Sequence, residues 1–493
     1  MGAEVVVSSS EPRLQQLERA LDDIGVTPSH KKILALILFG VLFDVFEQNA
    51  VGLVGPLLRE YWGISAAQIG FLNTLTFGAA AIGRLGSGYI ADRFGRRTML
   101  SINLMLFTLG ALICALATNY TMLAAGRFIV GFGLGGEISI AVTMLAEFCS
   151  SRFRGVAVGA INVAGGGLGN MLAPAFGLAV FAFFPGPDSW RWLFGCLVLP
   201  AFFVLLYRRF IPETPRFLLS KGRVEEANRV LNILASGKLG KSAGGAAKRY
   251  LSEASNGAHR AEKVHLSEVF VGPLARRTVA VGIAVCMTYG AQISVLTLMP
   301  TILMAQGYTL SKSFVFTIVM QSGSLLGAIT ASYFGFRFPR KRVLTLGAIA
   351  ACVIGLCFGF LSKSQPLILA FGAAFQFCVL LLNTSIWIYA PELYPTRVRA
   401  FGTAFILALG TLAGAAMPLV AGRVFDQYGI GGMFGMMAAM YAVFAIALTF
   451  APETFGKPID GPDAPGDGDP QAAANASASA SSSASPASAS HAS

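Results

Sequence analysis

Gly88-Tyr-Ile-Ala-Asp92-Arg93-Phe-Gly95-Arg96-Arg97 gathers four charges and a helix-breaking glycine within six residues, between two long apolar runs. Such a cluster cannot lie in hydrocarbon, and the flanking runs leave no room for a soluble unit. The chain therefore turns back here, in a short loop at a membrane surface. Apolar runs at 33–55 and 68–91 precede the loop, and runs at 98–118, 121–145, 155–184 and 190–210 follow it. Six more lie at 276–305, 313–336, 343–362, 366–390, 400–422 and 430–451. Each reaches the ~20 residues that cross ~30 Å of hydrocarbon as a helix. The expectation is an all-α membrane protein with twelve transmembrane helices.

Composition agrees. The 493 residues are 55% hydrophobic and only 13% charged, with a mean hydropathy of +0.65, which excludes a soluble protein of ordinary composition. The net charge of +12 does not point to nucleic acid, because the bases cluster in short gaps between apolar runs. Several of the seven cysteines, Cys114, Cys196, Cys352, Cys357 and Cys378 among them, lie within apolar runs, and no Cys-x-x-Cys pair occurs, so neither a disulfide framework nor a metal site is expected. His30, His259, His265 and His491 all fall outside the apolar runs. Proton chemistry at membrane depth therefore falls to carboxylates.

The expected organisation is a cytoplasmic N-terminal segment at 1–32, a six-helix bundle at 33–210, a cytoplasmic linker at 211–275, a second bundle at 276–451 and a disordered cytoplasmic tail at 452–493. Leu14, Leu17, Leu21 and Ile24 recur at helical spacing, which suits a short amphipathic helix on the inner membrane surface or a merely solvated one. Orientation follows from alternate loops. Arg93, Arg96, Arg97, Arg152, Arg154, the linker, Arg337, Arg340, Lys341, Arg342, Arg397 and Arg399 fall on one side, against Arg59, Lys312, Lys363 and Arg423 on the other. The basic side is cytoplasmic, with both termini inside.

An internal repeat divides the chain. Glu147-Phe-Cys-Ser-Ser-Arg152-Phe-Arg154 recurs as Glu392-Leu-Tyr-Pro-Thr-Arg397-Val-Arg399 at an offset of 245, and Pro212-Glu213-Thr214 recurs as Pro452-Glu453-Thr454 at 240. Two pseudo-symmetric six-helix halves are implied, with a substrate site between them near the midplane. The repeated acid and base at the inner helix ends suggest an inner gate built from Gly88, Asp92, Arg93, Gly95, Arg96, Arg97, Glu147, Arg152, Arg154, Glu213, Arg216, Glu392, Arg397 and Arg399. In this reading Glu147 and Glu392 serve as acidic partners of the opening loop, and Asp92 is matched by Arg337 in the second half. A charged belt at the headgroups is the plainer alternative.

Charges within the spans are candidates for coupling. Asp44 and Glu47 share one face of the first span, and Arg127 and Glu137 lie in the fourth. The helical rise puts Asp44 ~16 Å from the inner surface, Glu47 and Arg127 ~9 Å from the outer one, and Glu137 ~6 Å from the inner, where it would join the gate. Either Asp44 or Glu47 could reach Arg127, and changes in that pairing could load and unload a proton. A static pair locking two helices is the alternative. Arg84 is expected to snorkel to the inner face. Asn162, Asn170, Tyr289, Gln292, Gln321, Gln376, Asn383 and Trp387 remain as polar or amphipathic groups able to line a substrate cavity. They suit a modest polar solute with a ring or apolar body, either a cation held by Asp44 and Glu47 or an acid whose carboxylate Arg127 receives. Gly131-Phe-Gly133-Leu-Gly-Gly136 satisfies Gly-x-Gly-x-x-Gly but follows no strand, so close helix packing is its expected role, as for Gly165, Gly166, Gly167 and Gly169.

The loop from Gly88 to Arg97 closely resembles the signature Gly-x-x-x-Asp-Arg-x-Gly-Arg-Arg between helices 2 and 3 of the major facilitator superfamily, matching at every fixed position. Asp44-x-x-Glu47, Arg127-Phe-x-x-Gly-x-Gly-x-Gly-Gly-Glu137 and Ala-Pro-Glu392-Leu-Tyr-Pro-Thr-Arg397-x-Arg399 are similar to the branch of synaptic-vesicle-protein-like carriers, organic ion transporters and niacin or aromatic acid proton symporters. The resemblance implies a secondary transporter, proton-coupled, importing a small organic ion across the plasma (inner) membrane as a monomer, with no cofactor and no enzymatic activity. A sugar or polyol porter is the alternative, since Asp44, Arg127 and Trp387 also fit sugar porters, although the Gly-Pro-rich approach to that tryptophan is missing. The helix 5 Gly-Pro pair of proton-coupled drug antiporters is missing too, and no signalling tail marks a nutrient receptor.

Overall fold

The structure, a computed structural model, describes residues 13–199, 210–239, 248–251, 269–270, 272–395 and 398–455. The described residues are helical with connecting turns and loops. After α1 (Arg13–Ile24) come α2 (Pro28–Trp62), α3 (Ala66–Phe94), α4 (Arg96–Ala115) and α5 (Tyr120–Phe148). The fifth span is composite: α6 (Ser151–Asn162), a π-helical segment (Val163–Gly169) and α7 (Asn170–Phe183). The start of the sixth is α8 (Ser189–Cys196), and residues 200–209, where it would continue, lie outside the described residues. Two short helices follow, α9 (Pro215–Ser220) and α10 (Val224–Ser236), and then α11 (Gly272–Ala305), α12 (Leu310–Arg337), α13 (Arg340–Leu361), α14 (Gln365–Glu392) and α15 (Arg399–Thr449).

Ten of these elements are long and apolar enough to cross a membrane. At 51 residues α15 would run ~75 Å as one rod, far beyond a bilayer. Gly429, at φ 65° and ψ −159°, breaks it into two spans, and α8 begins the remaining one, so the twelve-helix expectation holds. Polar caps fix the helix starts at the surfaces: the side chains of Ser65, Asn119 and Thr309 accept from the backbone N–H groups of Gln68, Met122 and Lys312.

The pseudo-symmetry shows in the tightest crossings. A Cβ at Gly135 of α5 would sit 1.9 Å from the Ala80 carbonyl oxygen of α3, and one at Gly323 of α12 would sit 2.0 Å from that of Ala373 in α14. Backbones meet there because no side chain intervenes. The glycine-rich run 131–136 is thus a packing face, as expected, and so is 165–169, where Gly165 and Gly169 face Val41 and Val45 and Gly167 faces Leu325. The π-helical turn over that second run was not expected.

The two halves meet chiefly along their outer halves. Gly70 of α3 lies against the Pro418 backbone of α15, Gly422 against Ala66, and Gly52 of α2 against Leu296 of α11. Asn73 donates to Thr297, Thr74 donates to the Ala415 carbonyl at 2.6 Å, and Arg59 pairs with Asp426 at 3.5 Å. Helix α1 packs against the helices of the linker. Leu17 and Leu21 are buried in one cluster with Leu231 and Leu234 of α10, and Glu18 accepts from Arg216 at 2.6 Å.

Candidate functional site

Two of the charged groups in the interior of the first half pair with each other. Arg127 is fully buried, as is Glu47, and the two form an ion pair. Arg127 Nε also donates to Thr76 at 3.1 Å, Nη2 reaches the Glu47 carbonyl at 3.4 Å, and the guanidinium lies 5.7 Å from the Phe194 ring centroid. The partner of Arg127 is therefore Glu47. Paired with Glu47 and 0% exposed, Arg127 presents no accessible face to a substrate carboxylate, which corrects that expectation.

Asp44 goes elsewhere. One helical turn from Glu47, it comes within hydrogen-bonding reach of Glu137, and both carboxyls are 1% exposed. No N–H or hydroxyl donor among the described residues reaches Asp44 Oδ2 or Glu137 Oε2. Two carboxylates offer only acceptors, so a hydrogen bond between them requires at least one proton. Glu137 thus belongs with Asp44 rather than with the inner gate. Glu137 is deeper than expected: eleven residues separate it from Phe148 at the end of α5, which sets it ~16 Å from that end.

The cavity candidates fall into two groups. Asn383 of α14 donates to Gln292 of α11, and one turn along each helix the Trp387 indole N–H comes within reach of the Tyr289 oxygen. These four face one another across the second half. In the first half, Asn170 accepts from Asn49 at 3.0 Å and donates to the Gly166 carbonyl at 2.9 Å, filling the backbone disturbance of the π-helical turn. Asn162 is half-buried at the start of that turn. Gln321 is turned to Ser324 of its own helix at 2.6 Å, and Gln376 Oε1 is buried without a partner among the described residues. Asn49, Asn73 and Thr76 were missed by the sequence reading: single amides and hydroxyls in apolar helices carry no pattern of their own.

Arg84 does not snorkel. It donates to Thr411 of α15 at 2.9 Å and reaches the Gly135 carbonyl at 3.5 Å, bridging the two halves.

At the inner face the repeat becomes geometry. In the first half, Glu213 accepts from the backbone N–H of Arg96 at 3.0 Å and of Arg97 at 3.3 Å; Thr214 donates to Glu147, and Arg96 pairs with Glu147 at 3.4 Å. In the second, Glu453 accepts from the N–H groups of Arg340 at 2.9 Å and Lys341 at 3.0 Å; Thr454 donates to Glu392 at 2.6 Å, and Arg340 pairs with Glu392 at 3.0 Å. Even the aromatic lids match, Phe217 at 5.4 Å from Arg96 and Phe455 at 5.2 Å from Arg340. Gly95, at φ 103°, is needed for the turn and for the approach of Glu213, which would lie 2.3 Å from a Cβ. Burial pushes the Glu213 carboxyl above its ordinary pKa, and the Thr214, Arg97 and Arg96 N–H groups pull it back.

Glu392 therefore partners Arg340 of its own half rather than the opening loop. Arg96 and Arg340 stand 244 apart, so the residue matching Asp92 is Phe336, not Arg337. Of the other gate residues, Arg216 pairs with Glu18, Arg93 stacks on Phe94 at 5.6 Å and Arg399 reaches the Tyr394 carbonyl at 3.4 Å. Gly88 lies within α3, while the side chains of Asp92, Arg152 and Arg154, and Arg397 altogether, lie outside the described residues.

Comparison with known proteins places this arrangement. The family model described as "Sugar (and other) transporter" matches residues 29–463. The niacin transporter NiaP of Acinetobacter baylyi is 28% identical over 443 residues, covering 89% of this chain and 98% of that protein. A gallate transporter of Pseudomonas putida is 31% identical over 402 residues, covering 80% and 85%. Among solved structures, the partially occluded inward-open xylose transporter XylE of E. coli superposes with a TM-score of 0.71 at 19% identity, covering 87% of this chain and 99% of that one.

Proposed function

As a member of the sugar (and other) transporter family of the major facilitator superfamily, the chain is a multi-pass secondary transporter, and we propose that it imports a small aromatic or heterocyclic acid together with protons. The carrying observation is the buried Asp44–Glu137 carboxyl pair, which holds a proton whenever its hydrogen bond is made. Loading a second proton, and losing it when the pair is reached from the other side, is the chemistry of a symporter. Glu47 and Arg127, placed with Asp44 in the coupling site by sequence, act as a neutral strut that fixes the α2 face carrying Asp44.

The substrate class rests on relatives named for niacin and gallate and on the Tyr289, Trp387, Gln292 and Asn383 cluster, which offers a flat apolar wall with polar edges. Organic cations are disfavoured because the interior carboxylates are already paired. Alternating access follows from the contacts: the outer halves are closed by α2 against α11 and α3 against α15, while the ion pairs described at the inner face lie within a single half. The inner clasps act as rigid grips that let each half rock as a body. The domain division at 33–210 and 276–451, cytoplasmic termini and a monomeric state belong to the same proposal.

The test is uptake into proteoliposomes of radiolabelled nicotinate, benzoate-type acids, organic cations and hexoses, with and without an inward proton gradient. Gradient-driven accumulation of an acid is expected. Gradient-independent uptake would remove the coupling assignment, and uptake of hexose alone would install the sugar porter in its place.

A further inference from the structure

Arg127 is fully enclosed by Glu47, Thr76 and Phe194, which leaves Arg84 as the other arginine set deep among the spans of the first half. Arg84 stands ten residues from the inner end of α3, ~15 Å along the helix. Its protein contacts are neutral: Thr411 through Nη1 at 2.9 Å, and the Gly135 carbonyl through Nε at 3.5 Å. No carboxylate pairs with it among the described residues. A guanidinium at membrane depth without a counter-ion is costly and marks a functional site by default. It is also partly exposed, and its bond to Thr411 spans the two halves, where a substrate must sit.

We propose that Arg84 anchors the carboxylate of the transported acid, with Tyr289 as a second donor and Trp387 as the wall for the ring; this rests on the organic-acid reading above. Arg84 lies close enough to Tyr289 for guanidinium and phenol to interact. Indole has a donor and no acceptor, so Trp387 donates to the Tyr289 oxygen and leaves the phenolic proton free for another acceptor. A planar fork beside a hydroxyl donor suits a carboxylate on a flat ring.

Charge balance ties this anchor to the proton site. With one proton on Asp44–Glu137, the charges of that pair, Glu47, Arg127 and Arg84 sum to zero. A second proton makes the interior positive, and a monocarboxylate on Arg84 restores neutrality. The Gly135 carbonyl that Arg84 touches lies two residues from Glu137 in α5, so the two sites share an element. Proton and acid then favour each other's binding, one for one.

Equilibrium binding to purified protein, with nicotinate, benzoate and the uncharged amide nicotinamide as probes, tests the anchor. Wild type is expected to prefer nicotinate over nicotinamide. Arg84→Gln should weaken nicotinate about 10- to 100-fold and abolish that preference, and Arg84→Lys should fall between. Thr411→Val, which removes the cross-half bond and keeps the charge, should shift affinity by less than about threefold. A folded Arg84→Gln protein that still prefers the acid overturns the anchor while leaving the transport reading intact. Failure of wild type to bind nicotinate or benzoate removes the organic-acid reading and the anchor with it. Should Arg84→Gln not fold, Tyr289→Phe serves instead: about 3- to 10-fold weaker nicotinate with nicotinamide unchanged is expected, and wild-type affinity for nicotinate in both Tyr289→Phe and Arg84→Lys overturns the proposal.

Discussion

The inner clasps of the two halves match residue for residue, whereas the membrane interior is charged in one half only. Glu213, Thr214, Glu147, Arg96 and Phe217 have counterparts in Glu453, Thr454, Glu392, Arg340 and Phe455, with the same donors and acceptors. Asp44, Glu47, Arg84, Arg127 and Glu137 have none: the corresponding spans of the second half carry Gln292, Asn383, Tyr289 and Trp387. Duplication kept what both halves need in order to move as bodies. Chemistry was concentrated on one side, against a neutral polar wall on the other.

The largest test of that division is Arg127→Gln. It strands Glu47 as a buried unpaired charge, and removal of one partner of a buried pair costs about 3–5 kcal/mol. Loss of folded protein, read by thermal unfolding in detergent, is expected. The double variant with Glu47→Gln should recover most of the stability. A single variant as stable as wild type would mean that the strut is not one.

Asp44→Asn comes next. It keeps the hydrogen bond to Glu137 while removing one titratable site, so proton-driven accumulation should fall by about 100-fold or more while substrate exchange across the membrane persists. Glu137→Gln should behave alike, because the proton belongs to the pair. Full accumulation in either would move coupling away from these carboxyls and undo the asymmetry.

Much of this was legible in the sequence, and what was not shares a cause. The loop Gly88–Arg97, the duplicated Glu147 and Glu392 motifs and the apolar runs gave twelve helices and two halves, because hydrocarbon punishes exposed charge and backbone so severely that pattern alone decides. Partners were another matter. Helical rise places a residue along its own axis but does not say which neighbour it faces, so Glu137 was sent to the gate and Arg84 to the headgroups. The side chain of Arg84 is long enough to reach either way. Only the crossing of α3 and α5 at Gly135, and of α3 with α15, shows that it reaches inward. The one-residue slip that aligned Asp92 with Arg337 arose similarly, because the offset of one repeat element was extended to a loop of different length.

Matching clasps predict matching defects. Glu147→Gln and Glu392→Gln each remove the charge from an ion pair while keeping the Thr214 or Thr454 contact, at about 1–2 kcal/mol. Transport should slow by about 3- to 10-fold in both, with substrate affinity unchanged. A difference above about fivefold between them would show that the clasps match in geometry but not in function.

The smallest effect is expected at Glu213, and it concerns pH. Burial holds its carboxyl above the ordinary glutamate value of 4.5, against the pull of three backbone N–H groups. A carboxyl whose pKa is higher folded than unfolded binds more protons folded, so its contribution to stability is fully present below about 4.5 and declines as pH rises through the folded value. Glu213→Gln keeps an acceptor for the Arg96 and Arg97 N–H groups and cannot titrate. The variant should therefore show a flatter melting-temperature profile than wild type as pH rises above about 4.5, with no more than a few degrees of difference. A steeper profile in Glu213→Gln would show that the N–H groups outweigh burial there.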